Sequence, residues 1–438
     1  MKSWCLHIAF LLLILCVCCA CGDRGSSTNT EPSNTNASAS TPVSGPVQIP
    51  IPAPSTLNMP PRTVILYMAG DNSLSFLLKT NGESGDFAEI LAGAAQLDAS
   101  LLTTNNVLIF ADKSDELFLP TIWRLEKSSD GKAILEEVKK FDSDVLSTDP
   151  ALIKEVIDFA KTYYPANSYG FVYWSHGDGW QYIGIDQQNG TLKGEARGKT
   201  TISGLADALS SIGKKFDFVM FDACYMLSIE VAYELRNCTK YIVASPTETP
   251  GPGAPYDTML AVMLAEDNVP DAMGEAFFEY YNQRYDEDNN SIPTNDSWHG
   301  GVTVGVVDCG VLEALAKATA EGLEGVTDVD NVLLREAIFP YDRRNFVDRH
   351  YNFDMVDLMK SLMKENDYAM WLNVYQHALV AWHTTSKYYS SASRWFSMET
   401  AHGITHYIPK TNDISDSMDI AYHATSWYKD AGLSQLGW

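Results

Sequence analysis

Cysteine is almost missing from most of this 438-residue chain. Five of its eight cysteines (Cys5, Cys16, Cys18, Cys19 and Cys21) fall within the first 21 residues, which leaves Cys224, Cys238 and Cys309 for the rest. Three is sparse and odd, so no disulfide framework is implied and at least one thiol must be unpaired. Positive charge is scarce as well: 31 Lys and Arg face 56 Asp and Glu, a formal net charge of −25. Such a surface repels phosphate backbones and anionic membranes, which excludes nucleic acid as a partner class. It suits basic substrates, and it equally suits plain solubility. Long apolar runs are lacking too. The run from Ile8 to Val17 is shorter than the roughly 20 residues that a membrane-spanning helix needs. There is no internal repeat and no glycine-rich phosphate loop. "GPGAP" at Gly251 follows a strand pattern, but no helix directly follows it. Histidines outside the main motif (His299, His350, His377, His383, His402, His406 and His423) are scattered. The pair His402/His406 sits among Gly403 and β-branched residues, not on a helical face. No zinc-ligand spacing results, so no metal and no cofactor are expected.

What is present begins with an export signal. "MKSWCLHIAFLLLILCVCCAC" has a positive start at Lys2, an apolar core and small residues at its end. "CCAC" before "GD" resembles the lipobox of bacterial lipoproteins. Cys21, after Ala20 and before Gly22, is the lipidation candidate, with Cys19 as its rival and a plain cleaved signal as the alternative. Residues 1–20 are thus read as a lipoprotein signal peptide. Residues 21–60 are Ser, Thr, Asn, Pro and Ala with few large apolars. They cannot bury enough surface to offset ordering entropy and read as a disordered tether. Together these make the protein exported, periplasmic or at the cell surface, and held to a membrane by an N-terminal lipid anchor.

From residue 61 to 438 the pattern is that of one α/β domain, more helical from about residue 256. "TVILYMAG" (Thr63–Gly70) is a nearly continuous apolar run, as in a central parallel strand covered on both faces. "NNVLIFADKS", "YGFVYWSHG", "FDFVMFDACY" and "KYIVASPTE" are further strands, and "GGVTVGVVDCG" is a later one. Helical patterns lie between them, including "DPALIKEVIDFAKTYYP" with Asp149 as its cap. Asp71 or Ser73 is expected to cap a helix after the first strand. "YAMWLNVYQHALVAWHTT" reads as helix throughout, and "ETAHGITHYIP" as a late strand. Strands alternating with helices at this spacing predict a parallel sheet with crossover helices.

In such sheets ligands gather at the C-terminal strand ends. Those ends carry Asp71, Asp112, His176, Cys224 and the loop "SPTETPGPGAPYD". His176 and Cys224 end two strands separated by one helix, which a right-handed crossover commonly makes neighbours. A thiol beside an imidazole is the minimal set for nucleophilic thiol chemistry. Gly177, lacking a side chain, lets its N–H approach a developing oxyanion. The Cys224 N–H, placed at the start of the next helix, supplies a second donor. Taken singly, Cys224 reads equally as a small buried residue and His176 as a polar strand end.

The stretch "YWSHGDGW", followed 48 residues on by "FDACYMLSIEVAYEL" when counted from His176 to Cys224, resembles the clostripain family of cysteine peptidases. "TVILYMAGDNSL", "YIVASPTETPGPGAPYD" and "AHGITHYIP" extend the likeness over roughly residues 62–410. The resemblance implies a caspase/gingipain-like three-layer α/β/α sandwich with a mostly parallel central sheet and additional C-terminal helices. It implies a dyad of His176 as base and Cys224 as nucleophile, and an endopeptidase cutting peptides or proteins after Arg or Lys. Asp222 matches an acidic S1 position, though a strand-end hydrogen bond to the loop is the competing role. Pro252 and Ala254 stand where the family's loop usually has an acidic residue and an aromatic. A pocket with one carboxylate should hold a cation less firmly. The departure leaves room for a peptidase-fold binding module, or for an amidase acting on small amides. Family members can be activated by self-cleavage between the His and the Cys. "DQQNGTLKGEARGKTT" offers Lys193, Arg197 and Lys199, with Lys193 as the candidate, or is a plain surface loop. Calcium dependence also occurs in the family. "DEDNN" (Asp286–Asn290) is acidic but has no coordination spacing, so no calcium ligand is assigned.

Overall fold

The computed structural model describes residues 59–79, 84–265, 269–327, 329, 333–343, 350–409 and 417–438. The signal peptide, Cys21 and nearly all of the tether lie outside them. Among the described residues no helix is long and apolar enough to cross a membrane.

The apolar run at the start of the body is strand β1, Arg62–Gly70, and all nine of its residues are buried. It lies at the centre of the sheet because both of its faces are apolar. β2 (Asn106–Lys113) pairs on one side and β5 (Ser168–Trp174) on the other, both parallel. β8 (Phe216–Asp222) and β9 (Thr239–Ala244) continue the parallel block beyond β5. Between these strands run β3 (Thr121–Lys127), β4 (Ala133–Lys140), β6 (Ile183–Asp186) and β7 (Gly198–Thr200). β3 and β4 form the antiparallel hairpin at one edge of the sheet, and β6 and β7 form a small separate ribbon.

The other edge comes from the C-terminal half. β10 (Thr303–Asp308) pairs antiparallel with β9. A two-residue strand, β11 (Phe353–Asp354), belongs to a different small sheet. The edge of the main sheet is β12, Leu379–Thr384, antiparallel to β10. This corrects the reading of "YAMWLNVYQHALVAWHTT" as one helix. The helix stops at Ala378, where Leu-Val-Ala-Trp-His-Thr satisfies the open edge of β10. An unpaired row of backbone donors and acceptors is a stronger constraint than local helical spacing. The late strand shrinks for the converse reason. Only Thr405–His406 is extended, and it pairs with β11, outside the main sheet.

Helices cover both faces. α1 (Asp86–Gln96) and α2 (Ala99–Thr104) lie on one, and Asp98 caps α2. α3 (Pro150–Tyr163), α4 (Ile202–Ser210) and α5 (Ile229–Leu235) lie on the other. Asp149 caps α3 as expected, accepting from the Ala151 N–H at 2.9 Å with Pro150 in the first turn. α6 (Tyr256–Met263) and α7 (Val269–Asn282) join the first face, and α8 (Leu312–Gly322) the second. Alternation along each strand feeds both cores. Val64, Leu66 and Met68 point to one, while Ile65 and Tyr67 point to the other. Tyr67 stacks on Phe110 at 4.6 Å and donates to the Ser147 carbonyl at 2.6 Å. Each such buried aliphatic or aromatic side chain contributes about 1.5–3 kcal/mol. The molecule is a three-layer α/β/α sandwich with additional C-terminal helices. Because β10 and β12 complete its sheet, the helix-rich half shares the core with the rest.

Candidate active site

β5 and β8 are in register, with Trp174 opposite Asp222. Just past that pair, the Ser175 N–H reaches the Asp222 carbonyl at 3.3 Å. His176 and Cys224 are each two residues beyond the paired positions, so the two chains emerge side by side at the C-terminal edge. Gly177 measures the closeness. A β-carbon there would lie 2.8 Å from the Cys224 carbonyl oxygen, 2.9 Å from Met226 Sδ and 3.1 Å from Ala223 Cβ. Gly177 is also bridged to Ile183, through Gly184 N–H to His176 C=O at 2.8 Å and Asp178 N–H to Tyr182 C=O at 3.1 Å. The Gly177 N–H takes part in neither bond.

The His176 ring is held by a residue that sequence reasoning treated as a helix cap. Ser73 Oγ lies 2.9 Å from His176 Nε2. Neither Asp71 nor Ser73 caps a regular helix; only a short 3₁₀ turn, Ser75–Leu77, follows. Asn72 braces the turn instead, donating to the carbonyls of Ala69 at 2.9 Å and Ile185 at 2.8 Å. Burial, and then the charge of Arg197, hold the His176 pKa down to about 4. The ring is therefore neutral at physiological pH and able to accept a proton. Arg197, in the loop between His and Cys, was only one of three basic residues in the sequence. The interaction that singles it out is electrostatic and tertiary. Lys193 lies four residues earlier, exposed and extended (φ −133°, ψ 152°). Lys199 covers the Tyr182 ring at 4.3 Å.

Because a nearby cation disfavours the imidazolium, Arg197→Gln is expected to raise the His176 pKa from about 4 toward the ordinary value. The rise is partial, since burial is the larger cause. Titration of the imidazole by NMR checks this, and an unmoved midpoint would remove Arg197 from the site.

None of the three body cysteines is in a disulfide, and Cys224 is the one that is partly exposed. Cys238 is buried against the Ala206 carbonyl at 3.4 Å, and burial pushes the Cys309 thiol far up. Cys224 Sγ receives the Thr249 N–H at 3.3 Å, a donor placed to stabilise negative charge on sulfur. One expectation is corrected here. Cys224 does not begin the next helix, because α5 starts only at Ile229. Cys224 sits instead in a tight turn, with Tyr225 at φ +64°. Its N–H direction is set by that turn, not by a helix dipole.

Asp222 is buried beneath the loop after β9. Its Oδ2 accepts from the Ala254 N–H at 2.9 Å and the Tyr256 hydroxyl at 3.1 Å. Gly253, at φ +86°, passes so close that a β-carbon would sit 3.1 Å from the same oxygen. Burial raises the Asp222 pKa to about 6. The carboxylate that the altered loop lacks has neighbours elsewhere. Asp86 and Glu89 on α1 interact electrostatically with Asp222. Burial and Asp222 raise the Asp86 pKa, while burial, Asp257 and Asp222 raise that of Glu89 to about 7. Asp86 Oδ2 is buried with no hydrogen-bond partner among the described residues. No spacing in the sequence links α1 to this pocket.

Two groups of side chains have metal-like geometry among the described residues: Asp354–Asp357–His402 and Asp71–Asp112–Asp144. The first is committed to structure. Asp354 accepts from the Val356 and Asp357 N–H groups, Tyr341 Oη and the His402 N–H. His406 is buried and accepts from Trp427 Nε1 at 3.0 Å, so it shares no site with His402. "DEDNN" is spent on turns and on Lys387, which lies 3.6 Å from Glu287.

An α/β/α sandwich whose mixed sheet has a parallel block of five strands at its centre, with a partly exposed thiol and a neutral imidazole at one strand edge, defines a class, the thiol hydrolases of this architecture. The chain belongs to the clostripain family of cysteine peptidases, whose family model matches residues 66–437. Solved structures agree. A secreted C11 cysteine protease from Bacteroides thetaiotaomicron, determined with an irreversible peptide inhibitor, is 32% identical with a TM-score of 0.74. The match covers 86% of this chain and 100% of that one. An inactive zymogen C11 protease from Parabacteroides distasonis is 27% identical with a TM-score of 0.70, over 86% and 99% of the two chains. A second secreted protease from B. thetaiotaomicron, at 22% identity and a TM-score of 0.68 over 85% and 99%, shares the fold. A comparison with curated proteins finds no match. The protein is a cysteine-type peptidase.

Proposed function

We propose that this cysteine peptidase is an exported endopeptidase that uses His176 and Cys224 as a dyad and cuts after Arg or Lys. The observation that carries it is the approach of Gly177 to the Cys224 backbone, which seats the two side chains on adjoining strand ends. Nε2 of His176 faces Ser73, so Nδ1 takes the thiol proton. The thiolate attacks the scissile carbonyl carbon, a C–S bond forms, and the carbonyl π pair moves to oxygen. That oxyanion meets the N–H groups of Gly177 and Cys224. On collapse the C–N bond breaks, and the imidazolium returns its proton to the leaving amine. Water, deprotonated by the same ring, then hydrolyses the thioester.

Asp222 is the base of the S1 pocket, with Asp86 and Glu89 as further carboxyl groups nearby that ionise when a cationic side chain enters, in place of the acidic residue that Pro252 and Ala254 do not supply. In the uncut chain the charge of Arg197 acts on His176 and disfavours its protonated form, so self-cleavage after Lys193 or Arg197 activates the enzyme by moving that charge away. The signal peptide and Cys21 place the enzyme on a membrane through lipid, with residues 22–60 as a tether. Loss of membrane association in Cys21→Ala, but not Cys19→Ala, checks the anchor.

The test of specificity is a P1 scan on peptides differing only at that residue. Arg and Lys are expected to exceed Gln and Leu by about 10²-fold in kcat/KM, the worth of a charge-assisted pair of roughly 3 kcal/mol. Asp222→Asn should cut the Arg and Lys rates at least tenfold while sparing Gln. Equal rates across the scan would overturn the basic specificity. No cleavage of any peptide would leave a binding module.

A further inference from the structure

One hydrogen-bonded chain behind the thiol reaches well outside the catalytic strands. The Thr249 N–H donates to Cys224 Sγ at 3.3 Å. The carbonyl of Glu248, in the same peptide group, accepts from Tyr388 Oη at 2.6 Å. That peptide is trans, so its C=O and N–H point in opposite directions across one plane. A phenol, a peptide group and a thiol thus stand in series, with Tyr388 at the donor end and sulfur at the other. Thr247 Oγ1 also donates to the Glu248 carbonyl, at 3.0 Å.

Tyr388 comes from far along the chain, 140 residues after Glu248. It lies in β13 (Lys387–Ser390), which pairs with β14 (Arg394–Ser397) in a hairpin. Its side chain is fully buried among Phe339, Phe396 and Met398, a small core separate from the two main ones. The Tyr389 N–H donates to the Gly300 carbonyl at 2.7 Å and ties the hairpin to the residues before β10. Burial, then the charges of Glu248 and Cys224, hold the Tyr388 pKa well above the ordinary tyrosine value. The phenol therefore stays protonated where a thiol titrates, and it remains a donor.

Hydrogen bonds in series polarise one another, by roughly 10–30% per bond. Donation into the Glu248 carbonyl draws electron density from the peptide nitrogen and makes the Thr249 N–H a stronger donor. A thiolate gains more from that donor than a thiol does, because a charged acceptor makes the stronger bond. We propose that Tyr388 is a positioning residue for the nucleophile: through the Glu248–Thr249 peptide group it orients and strengthens the N–H that stabilises the Cys224 thiolate. The hairpin of the C-terminal half is thereby part of the thiol's environment. The catalytic consequence rests on Cys224 as nucleophile; the effect on the thiol does not.

The test follows the ionisation of Cys224 in the full chain. The pH dependence of its alkylation by iodoacetamide is quantified by mass spectrometry on the peptide that carries Cys224, and no peptidase activity is needed. Tyr388→Phe keeps the ring and removes the hydroxyl, while Thr247 Oγ1 still satisfies the Glu248 carbonyl, so the fold should hold. The midpoint is expected to rise by about one pH unit, an about tenfold weaker thiol acid, while the rate at high pH, where the thiolate is complete, stays that of wild type. His176, Asp222, Tyr225 and Glu248, the other ionisable groups around the thiol, are the same in both proteins. The same rise is expected in a His176→Ala background, which separates a failure of this inference from a failure of the dyad. Tyr389→Phe, whose side chain leaves the strand on the opposite face, should not move the midpoint. If Tyr388→Phe folds poorly, a ring-fluorinated tyrosine at position 388 gives the test with opposite sign. Ring and hydroxyl remain, the more acidic phenol donates more strongly, and the midpoint should fall. A wild-type midpoint in folded Tyr388→Phe, an unmoved midpoint in the fluorinated protein, or an equal rise in Tyr389→Phe would overturn the role of Tyr388.

Discussion

Cys224→Ala is expected to lower kcat/KM on a cleavable peptide by about 10⁴-fold or more, and His176→Ala by a similar factor. Neither change should unfold the chain. Cys224 is partly exposed in a turn, and the core beneath it is formed by Val219 and Phe221 on one face and Phe218 and Met220 on the other. The two losses should not add, because each variant removes the same proton-transfer unit and the double variant should be no slower than the worse single one. A thiol probe separates chemistry from folding. At pH 6 an ordinary thiol is mostly protonated, so labelling of wild-type Cys224 should be fast and labelling of the buried Cys238 and Cys309 slow. In His176→Ala the Cys224 rate should fall to that of an ordinary thiol. If both single variants kept more than a tenth of wild-type activity, the dyad would be wrong whatever the fold.

The side-by-side ending of the two strands that lead to His176 and Cys224 was legible in the sequence because it depends on topology more than on packing. A strand ending at His176, the helix α4 and a strand ending at Asp222 can hardly be joined except by a right-handed crossover that sets β5 beside β8. β1 was legible for a similar reason, since a run apolar on both faces has only the sheet centre to occupy. Other features were not, because no local pattern records them. Ser73 and His176 are 103 residues apart, and nothing near either one names the other. Asp86 reaches the Asp222 pocket from α1 only after the sandwich closes. β12 follows a helix without a turn signal, and the exposed edge of β10 decides its conformation. The carboxylates of Asp71, Asp112 and Asp144 come from just past β1, from within β2 and from the loop after β4, so no local spacing records their grouping.

Gly177→Ala is the smallest change with a large expected effect. Gly177 is not among the residues with positive φ, so the methyl group meets a problem of space and not of backbone strain. It would point at the Cys224 carbonyl oxygen, 2.8 Å away, and at Ala223 Cβ, 3.1 Å away, neither of which can rotate aside. Met226 Sδ, at 2.9 Å, can move. The two strand ends must therefore separate by a few tenths of an ångström or more. The imidazole, thiol and both oxyanion donors would then be out of register together. Overpacking should cost about 1–3 kcal/mol of stability, while kcat should fall by about 10²–10³-fold, because misplacement acts on proximity and on oxyanion donation at once. Adding Met226→Ala separates the two effects. The double variant should regain most of the lost stability, as the movable neighbour is gone. It should not regain kcat, as the Cys224 carbonyl still stands in the way. Full recovery of kcat in the double variant would mean that Met226 alone sets the fit. The close approach of the two backbones would then have no catalytic role.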